Sequence, residues 1–270
     1  MKYIILFVII VVIILLLINI KPLKPVNNNI FIINLVLYSD NNEYNEMYKL
    51  TRTFYKKFNN VKTIYYKFNE NIINDYELVD DILNIKGTET YVPGILDKTI
   101  KAFEYVYNNY NFEYVVRSNI STIINFDLFI NYLINNPIEY GGGGRYVLQG
   151  IDIPAGIIDT TYLGTEYASG TSIVISKKIL NDFIINKDKF NYDIVDDVAF
   201  GLIIDKHLKY INKKYFPSES FFYSPNENGD KLRLINLIKD KNYIFYRNRQ
   251  IDRNMDVIQM KIIIDYINNN

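Results

Sequence analysis

Residues 113–125 read Glu113, Tyr114, Val115, Val116, Arg117, Ser118, Asn119, Ile120, Ser121, Thr122, Ile123, Ile124, Asn125. The stretch opens as a short run of β-branched and aromatic residues, the composition of a buried strand. It then breaks into small side chains that hydrogen-bond. Ser and Asn favour turns for local reasons, so a strand and a turn account for the pattern by themselves. At the centre of an α/β domain the same pattern has a further meaning. Ligands bind beyond the carboxyl ends of the strands in such sheets.

The flanking segments predict that kind of domain. An apolar run at 30–37 reads as the first buried strand. Residues 43–58 carry Tyr44, Met47, Leu50, Phe54, Tyr55 and Phe58 near helical spacing. A second strand is expected at 61–68. Residues 76–83 are read as starting in a helix, with 81–85 as a short third strand. After a loop at 87–94, residues 95–107 form the clearest amphipathic helix, with Ile95, Leu96, Thr99, Ile100, Phe103, Val106 and Tyr107 on one face. Strand and helix in alternation predict an α/β fold, a mostly parallel central sheet flanked by helices. Further on, a helix is expected at 126–134, strands at 146–148 and 172–175, and a helix capped by Ser176. Another helix lies within 192–208, entered through Asp193, Asp196 and Asp197, where acids complement the helix dipole. A late strand at 243–246 and a helix at 256–267 close the chain. Gly141, Gly142, Gly143 and Gly144 precede Arg145. The run would let backbone amides approach a phosphate, or would form a mobile loop, and it lacks the Gly-Lys-Ser/Thr of a P-loop.

The first twenty residues are of another kind. Residues 3–20 are almost unbroken Ile, Val, Leu and Phe, with Asn19 the one polar interruption. That length spans a hydrocarbon core of about 30 Å. No small-residue cleavage site follows, which favours an uncleaved signal anchor. The expected organisation is a transmembrane anchor at 1–20, a linker at 21–29 and one α/β domain at 30–270. A single-pass, type II arrangement follows, in a Golgi- or ER-like or a viral membrane.

Composition narrows the chemistry. Thirty basic residues balance thirty acidic ones, so no global field favours nucleic acid. Cysteine is absent, which excludes disulfides and thiolate metal sites. His207 is the only histidine, which leaves little room for a His-based zinc site or a Ser-His triad. It is expected to face solvent or pack.

Several motifs in fixed order resemble the galactosyltransferase and fringe-like family of inverting glycosyltransferases. The helix with Leu96, Lys98 and Thr99 resembles that family's Leu-x-x-Lys-Thr helix. Residues 114–122 stand where the family has Tyr-Val-x-Lys-x-Asp-Asp-Asp. Tyr167, Gly170, Ile173, Val174 and Ser176 are similar to a Tyr-x-x-Gly-x-x-Tyr-Val-x-Ser segment on the acceptor side. Asp196, Asp197, Val198 and Gly201 are similar to Glu-Asp-Val-x-x-Gly, and Phe245, Tyr246 and Arg247 lie near its late His-containing strand. The resemblance covers about residues 76–250. It implies a GT-A-type, Rossmann-like fold and an inverting hexosyltransferase. The partners implied are a nucleotide-sugar donor, a glycan or glycoprotein acceptor, and the membrane through the N-terminal helix.

By that resemblance Asp197 is the base that deprotonates the acceptor, with Asp196 beside it. Ser118, Asn119 and Ser121 hold the donor, with Arg117 and Arg145 as cations for its diphosphate. Arg247 and Arg249 are further candidates, and Asp152, Asp159 and Glu166 are alternative acids. Tyr167, Ser169 and Gly170 line the acceptor side. One departure is large. The family's triple Asp binds a divalent cation such as Mn²⁺, whereas the aligned residues here are Asn119, Ile120 and Ser121. Hard cations prefer carboxylate oxygen. The expectation is therefore no metal ligand and no cofactor, with arginine forks on phosphate instead. The other reading is a membrane-anchored pseudoenzyme that binds a glycan or a protein partner.

Overall fold

The computed structural model describes residues 30–225 and 230–269. The anchor at 1–20 and linker at 21–29 lie outside the described residues. Among those described, no helix is long and apolar enough to cross a membrane.

The chain runs β1 (Ile32–Leu37), α1 (Asn42–Tyr55), β2 (Val61–Phe68), β3 (Tyr76–Val79), β4 (Ile82–Ile85), α2 (Gly94–Asn109) and β5 (Tyr114–Asn119). Then follow β6 (Thr122–Ile124), α3 (Phe126–Asn135), β7 (Tyr140–Gly142), β8 (Arg145–Val147), β9 (Glu166–Ala168), β10 (Ser172–Ser176), α4 (Lys177–Ile185) and α5 (Asp196–His207). The last elements are β11 (Lys213–Tyr215), β12 (Phe221–Tyr223), α6 (Lys231–Ile238), β13 (Phe245–Arg247) and α7 (Arg253–Asn268). The main sheet has eight strands in the order β11-β7-β10-β5-β1-β2-β4-β3. Strands β5, β1, β2 and β4 run parallel to one another, β3 is antiparallel to β4, and β10 enters antiparallel between β5 and β7. The expected α/β architecture with a mostly parallel sheet is present.

Strand alternation divides the core into two layers. Ile33, Leu35 and Val115 face α2, α4 and α5, where Phe103, Phe183 and Phe200 pack. Ile32, Val36 and Val116 face α1, α3 and α7, with Phe126, Phe129 and Ile263. The sheet reverses direction at β1. The chain builds β2 and β4 on one side, then returns through α2 to place β5 on the other. A crevice opens at that reversal, beyond the carboxyl ends of β1 and β5.

Two expectations fail for local reasons. Residues 76–83 form no helix. They form a hairpin whose alternating exposure along β3 is the period of a strand. Asp80 turns it with φ of 56°, a left-handed conformation that Asp tolerates better than most residues. The glycine run is neither a phosphate cradle nor a free loop. Gly141 and Gly142 are strand residues wedged between β10 and β11. A Cβ on Gly141 would lie 1.7 Å from the Lys214 carbonyl oxygen, and one on Gly143 would lie 1.8 Å from the Phe221 ring. The Gly143 amide already donates to Ser172 Oγ at 3.1 Å. Gly141 lets β7 lie close to β11 within the main sheet, and Gly143 lets the Phe221 ring of the small sheet pack against it.

Gly141→Ala is therefore expected to cost at least about 2–3 kcal/mol of stability, since backbone on both sides prevents relaxation. Chemical denaturation of the variant measures it.

Candidate active site

A cavity of about 820 Å³ lies at the reversal point. That is within the range of small-molecule sites, roughly 300–1,000 Å³. Its lining includes Leu37 and Ser39 after β1 and Asn119, Ile120 and Ser121 after β5. The opening stretch of the sequence thus ends in the cavity, as its pattern suggested.

Arg117 is the pivot of the cavity floor. It shares the β5 face of Val115 and is 2% exposed. Its Nη2 stands 2.8 Å from Asp196 Oδ2, at the start of α5. The charges are in close contact without a well-aimed hydrogen bond, and Nε has no acceptor. Nη1 donates to Asn119 Oδ1 at 3.0 Å and to the Gly170 carbonyl. One guanidinium thus ties β5, the loop after β9 and the first turn of α5 together.

Asp197 follows from that arrangement. Helical rotation turns it away from its buried neighbour, and it lines the cavity with partial exposure. Its Oδ2 accepts from Gly170 N at 3.0 Å and its Oδ1 from Val198 N at 2.9 Å. Burial, and then the adjacent Asp196 charge, push its pKa up to about 6 against these stabilising contacts. Gly201, one turn later, lets β9 approach. A Cβ there would meet the Glu166 carbonyl oxygen at 2.5 Å and Tyr167 Cβ at 2.8 Å.

A second, small sheet supplies cations. Its order is β12-β13-β6, and it aligns Thr122, Arg247 and Tyr223 in one row. Arg247 Nη1 donates to Ser121 Oγ at 2.6 Å. Burial, and then the neighbouring charges of Arg253 and Arg249, lower its pKa to about 10. Among the described residues only Arg253 of these three has a carboxylate partner, Asp256. Arg247 and Arg249 both line the cavity with no ion pair of their own.

The other predicted residues divide. Tyr167, Ser169 and Gly170 line the cavity, as do Asn119 and Ser121. Ser118 does not. Strand alternation puts it on the opposite face from Arg117, where its hydroxyl approaches Asn34 Oδ1 at 3.4 Å inside the core. Arg145 is also away from the cavity lining. Its side chain is 64% exposed and pairs with Glu166 at 2.7 Å. Asp152 lines the cavity, while Asp159 is exposed and accepts from Thr161 N at 2.8 Å. His207 is exposed. Sequence reasoning missed Tyr38, Tyr44, Tyr91, Tyr146, Tyr223 and Arg253, all in the lining. The spacing of Arg247, Arg249 and Arg253 on alternate or helical positions was the one signal available for the last of them.

A divalent cation does not fit the position of the family's triple Asp. The Asn119 oxygen already accepts from Arg117, and the Ser121 hydroxyl from Arg247. Ile120 between them is buried among apolar side chains. A cation there would meet two guanidinium groups, and among the described residues no group of three or more carboxylate or imidazole side chains is placed to hold one.

No family model matches the chain, and no curated protein matches it in sequence. Among solved structures it is similar to a glycosyltransferase involved in the glycosylation of the major capsid of PBCV-1, at TM-score 0.43 and 9% identity over 86% of this chain and 99% of that one. It is also similar to an active-site mutant of LgtC, at TM-score 0.39 and 13% identity over 80% and 86% of the two chains. A third likeness is to HddC from Yersinia pseudotuberculosis, at TM-score 0.35 and 15% identity over 68% and 89%. Likenesses this distant carry no functional weight.

Removing one partner of a buried ion pair leaves the other charge stranded, at about 3–5 kcal/mol. Arg117→Leu is expected to lose that much stability, and Arg117→Leu with Asp196→Leu to regain much of it. Equilibrium unfolding of the two variants makes the comparison.

Proposed function

We propose that the cavity transfers a sugar from a nucleotide-sugar donor to an acceptor hydroxyl, with inversion and without a metal ion, on a GT-A-type fold. What carries this function is the electrostatic division of one cavity. A carboxylate with a raised pKa stands on one element, and unneutralised guanidinium groups stand on another. Half-buried Arg247 and exposed Arg249 form a cationic cluster that an anion would complete, and for Arg247 a partly buried charge without a carboxylate partner is costly. A diphosphate suits it, because arginine forks match phosphate oxygens.

In the reaction Asp197 takes the proton of the acceptor hydroxyl as its oxygen attacks the anomeric carbon. The bond from that carbon to the diphosphate oxygen breaks on the opposite face. The nucleoside diphosphate leaves with the electron pair, and Arg247 and Arg249 meet its growing charge. A base pKa near 6 leaves Asp197 ionised at neutral pH yet basic enough to share a proton in the transition state. Arg117, Asp196 and the Gly170 amide position that base. The sequence resemblance to inverting galactosyltransferase and fringe-like enzymes supports the same roles. The apolar run at 3–20 supports attachment to a membrane as a further part of this reading.

Asp197→Asn is expected to reduce transfer by roughly 10²–10⁴-fold with donor affinity unchanged. Asp197 must be ionised to act, so wild-type kcat/KM should fall below about pH 6. A variant that transfers at the wild-type rate removes Asp197 as the base. Donor binding should persist in chelator, and Arg247→Ala should weaken it roughly tenfold or more. Calorimetric titration with a panel of nucleotide sugars, with and without Mn²⁺, tests both. Binding only with Mn²⁺ would overturn the metal-free reading.

A further inference from the structure

This chain is rich in aromatic residues, with 25 Tyr and 16 Phe. Most are inside. Among the described residues four tyrosines and no phenylalanine are exposed: Tyr91, Tyr146, Tyr210 and Tyr223. Three of those four line the one cavity that holds Asp197. Tyr91 is 53% exposed, Tyr146 41% and Tyr223 49%. Exposing a large ring loses the apolar burial it could gain elsewhere, so a cluster at one opening indicates a ligand surface.

The rings are held in place. Tyr146 and Tyr167 face each other across the β8–β9 ribbon and so point to the same side of it. Their centroids are 6.0 Å apart with planes inclined at 30°. The Tyr146 and Tyr223 hydroxyls meet at 3.3 Å. This contact joins the ribbon to the second sheet. Gly201 brings the ribbon onto α5, so the tyrosines and Asp197 are set by the same packing. Asp197 and then Asp152 are the charged neighbours felt by Tyr167. Arg145, the nearby cation on β8, is occupied by Glu166.

We propose that Tyr91, Tyr146 and Tyr223, with Tyr167 among them, are the acceptor subsite, and that the acceptor is a neutral saccharide. The inference rests on the transfer function above. A pyranose has an apolar C–H face and a rim of hydroxyl groups. The ring faces bind the first, and the Asp152 carboxylate and the Ser169 and Thr171 hydroxyls, all in the lining, suit the second. An anionic acceptor would meet the Asp152 and Asp197 carboxylates that share the lining with Tyr167, while Arg247, paired with Tyr223, is taken by the donor diphosphate. Nothing in this subsite needs a peptide.

The full chain contains no tryptophan, so tyrosine emission reads binding directly. It is titrated with methyl β-galactoside, methyl β-glucoside and N-acetylglucosamine, and with a sugar-free Ser/Thr peptide as comparison. At least one saccharide should bind and the peptide should not. Tyr146→Ala and Tyr223→Ala should each weaken saccharide binding roughly three- to tenfold, with the Phe variants near wild type. Nucleotide-sugar binding should be unchanged in the Tyr146 variants, which also shows that they fold; Tyr223 is paired with Arg247, so folding of its variants is read from thermal melting instead. Ala variants that bind saccharide as wild type does, or a peptide that binds while every saccharide is silent, overturn the proposal. Saccharide binding that depends on these rings, with no donor binding at all, upholds the subsite and overturns the transfer function instead.

Discussion

A guanidinium buried in a sheet is costly to desolvate, and it persists only when its surroundings are fixed around it. Arg117 imposes that requirement on three segments that lie far apart in sequence. Asp196 must come to it at the head of α5, the Gly170 carbonyl from the loop after β9, and Asn119 from its own strand. Once those are in place, Asp197 has little freedom. Its neighbour is held against the sheet, its oxygens take two backbone amides, and the remaining edge faces the cavity. The ion pair does no chemistry itself. It supplies the geometry and part of the field around the Asp197 carboxylate.

The rest of the cavity is organised by charge. Carboxylates gather where β9 meets α5, and guanidinium groups gather where the small sheet meets β1 and β5. In the proposed transfer the first group would take the proton and the second would meet the departing anion. The separation also accounts for the residues at the triple-Asp position. Two arginines, one from each side, already occupy the oxygens of Asn119 and Ser121. Carboxylate there would pair with these arginines, and the cationic cluster would lose the charge it offers to an anion.

Tight backbone contact is the other constraint. Gly141 and Gly143 let β7 sit against β11 and the Phe221 ring, and Gly201 lets the ribbon rest on α5. These close approaches bring β12 and its Tyr223 to the cavity. A glycine run that could have approached a phosphate or formed a mobile loop is, in the fold, part of the main sheet and its contact with the small one.

Much of this could be read from local pattern. Residues 32–37 are an apolar run, 61–68 and 114–116 are rich in β-branched and aromatic residues, and residues 94–109 and 177–185 carry helical periodicity with Ser176 as a cap. Such signals lie within a few residues of one another, so the α/β order and the polar end of β5 were legible. The pairing of Asp196 and Asp197 at a helix start was legible too. Their division of labour was not, because it depends on which way the first turn of α5 faces Arg117. Ser118 and Arg145 were misjudged for the same kind of reason. A residue's type shows what it can bind, but only the sheet's alternation and the ribbon's position decide what it meets. The tyrosine wall draws on segments from Tyr91 to Tyr223, and the arginines, though close together in sequence, meet Ser121 after β5 only across more than a hundred residues. Sequence alone determined the strands, the helices and the chemistry each could offer. Tertiary structure decided which of those groups share a cavity, because long-range packing has no local signature.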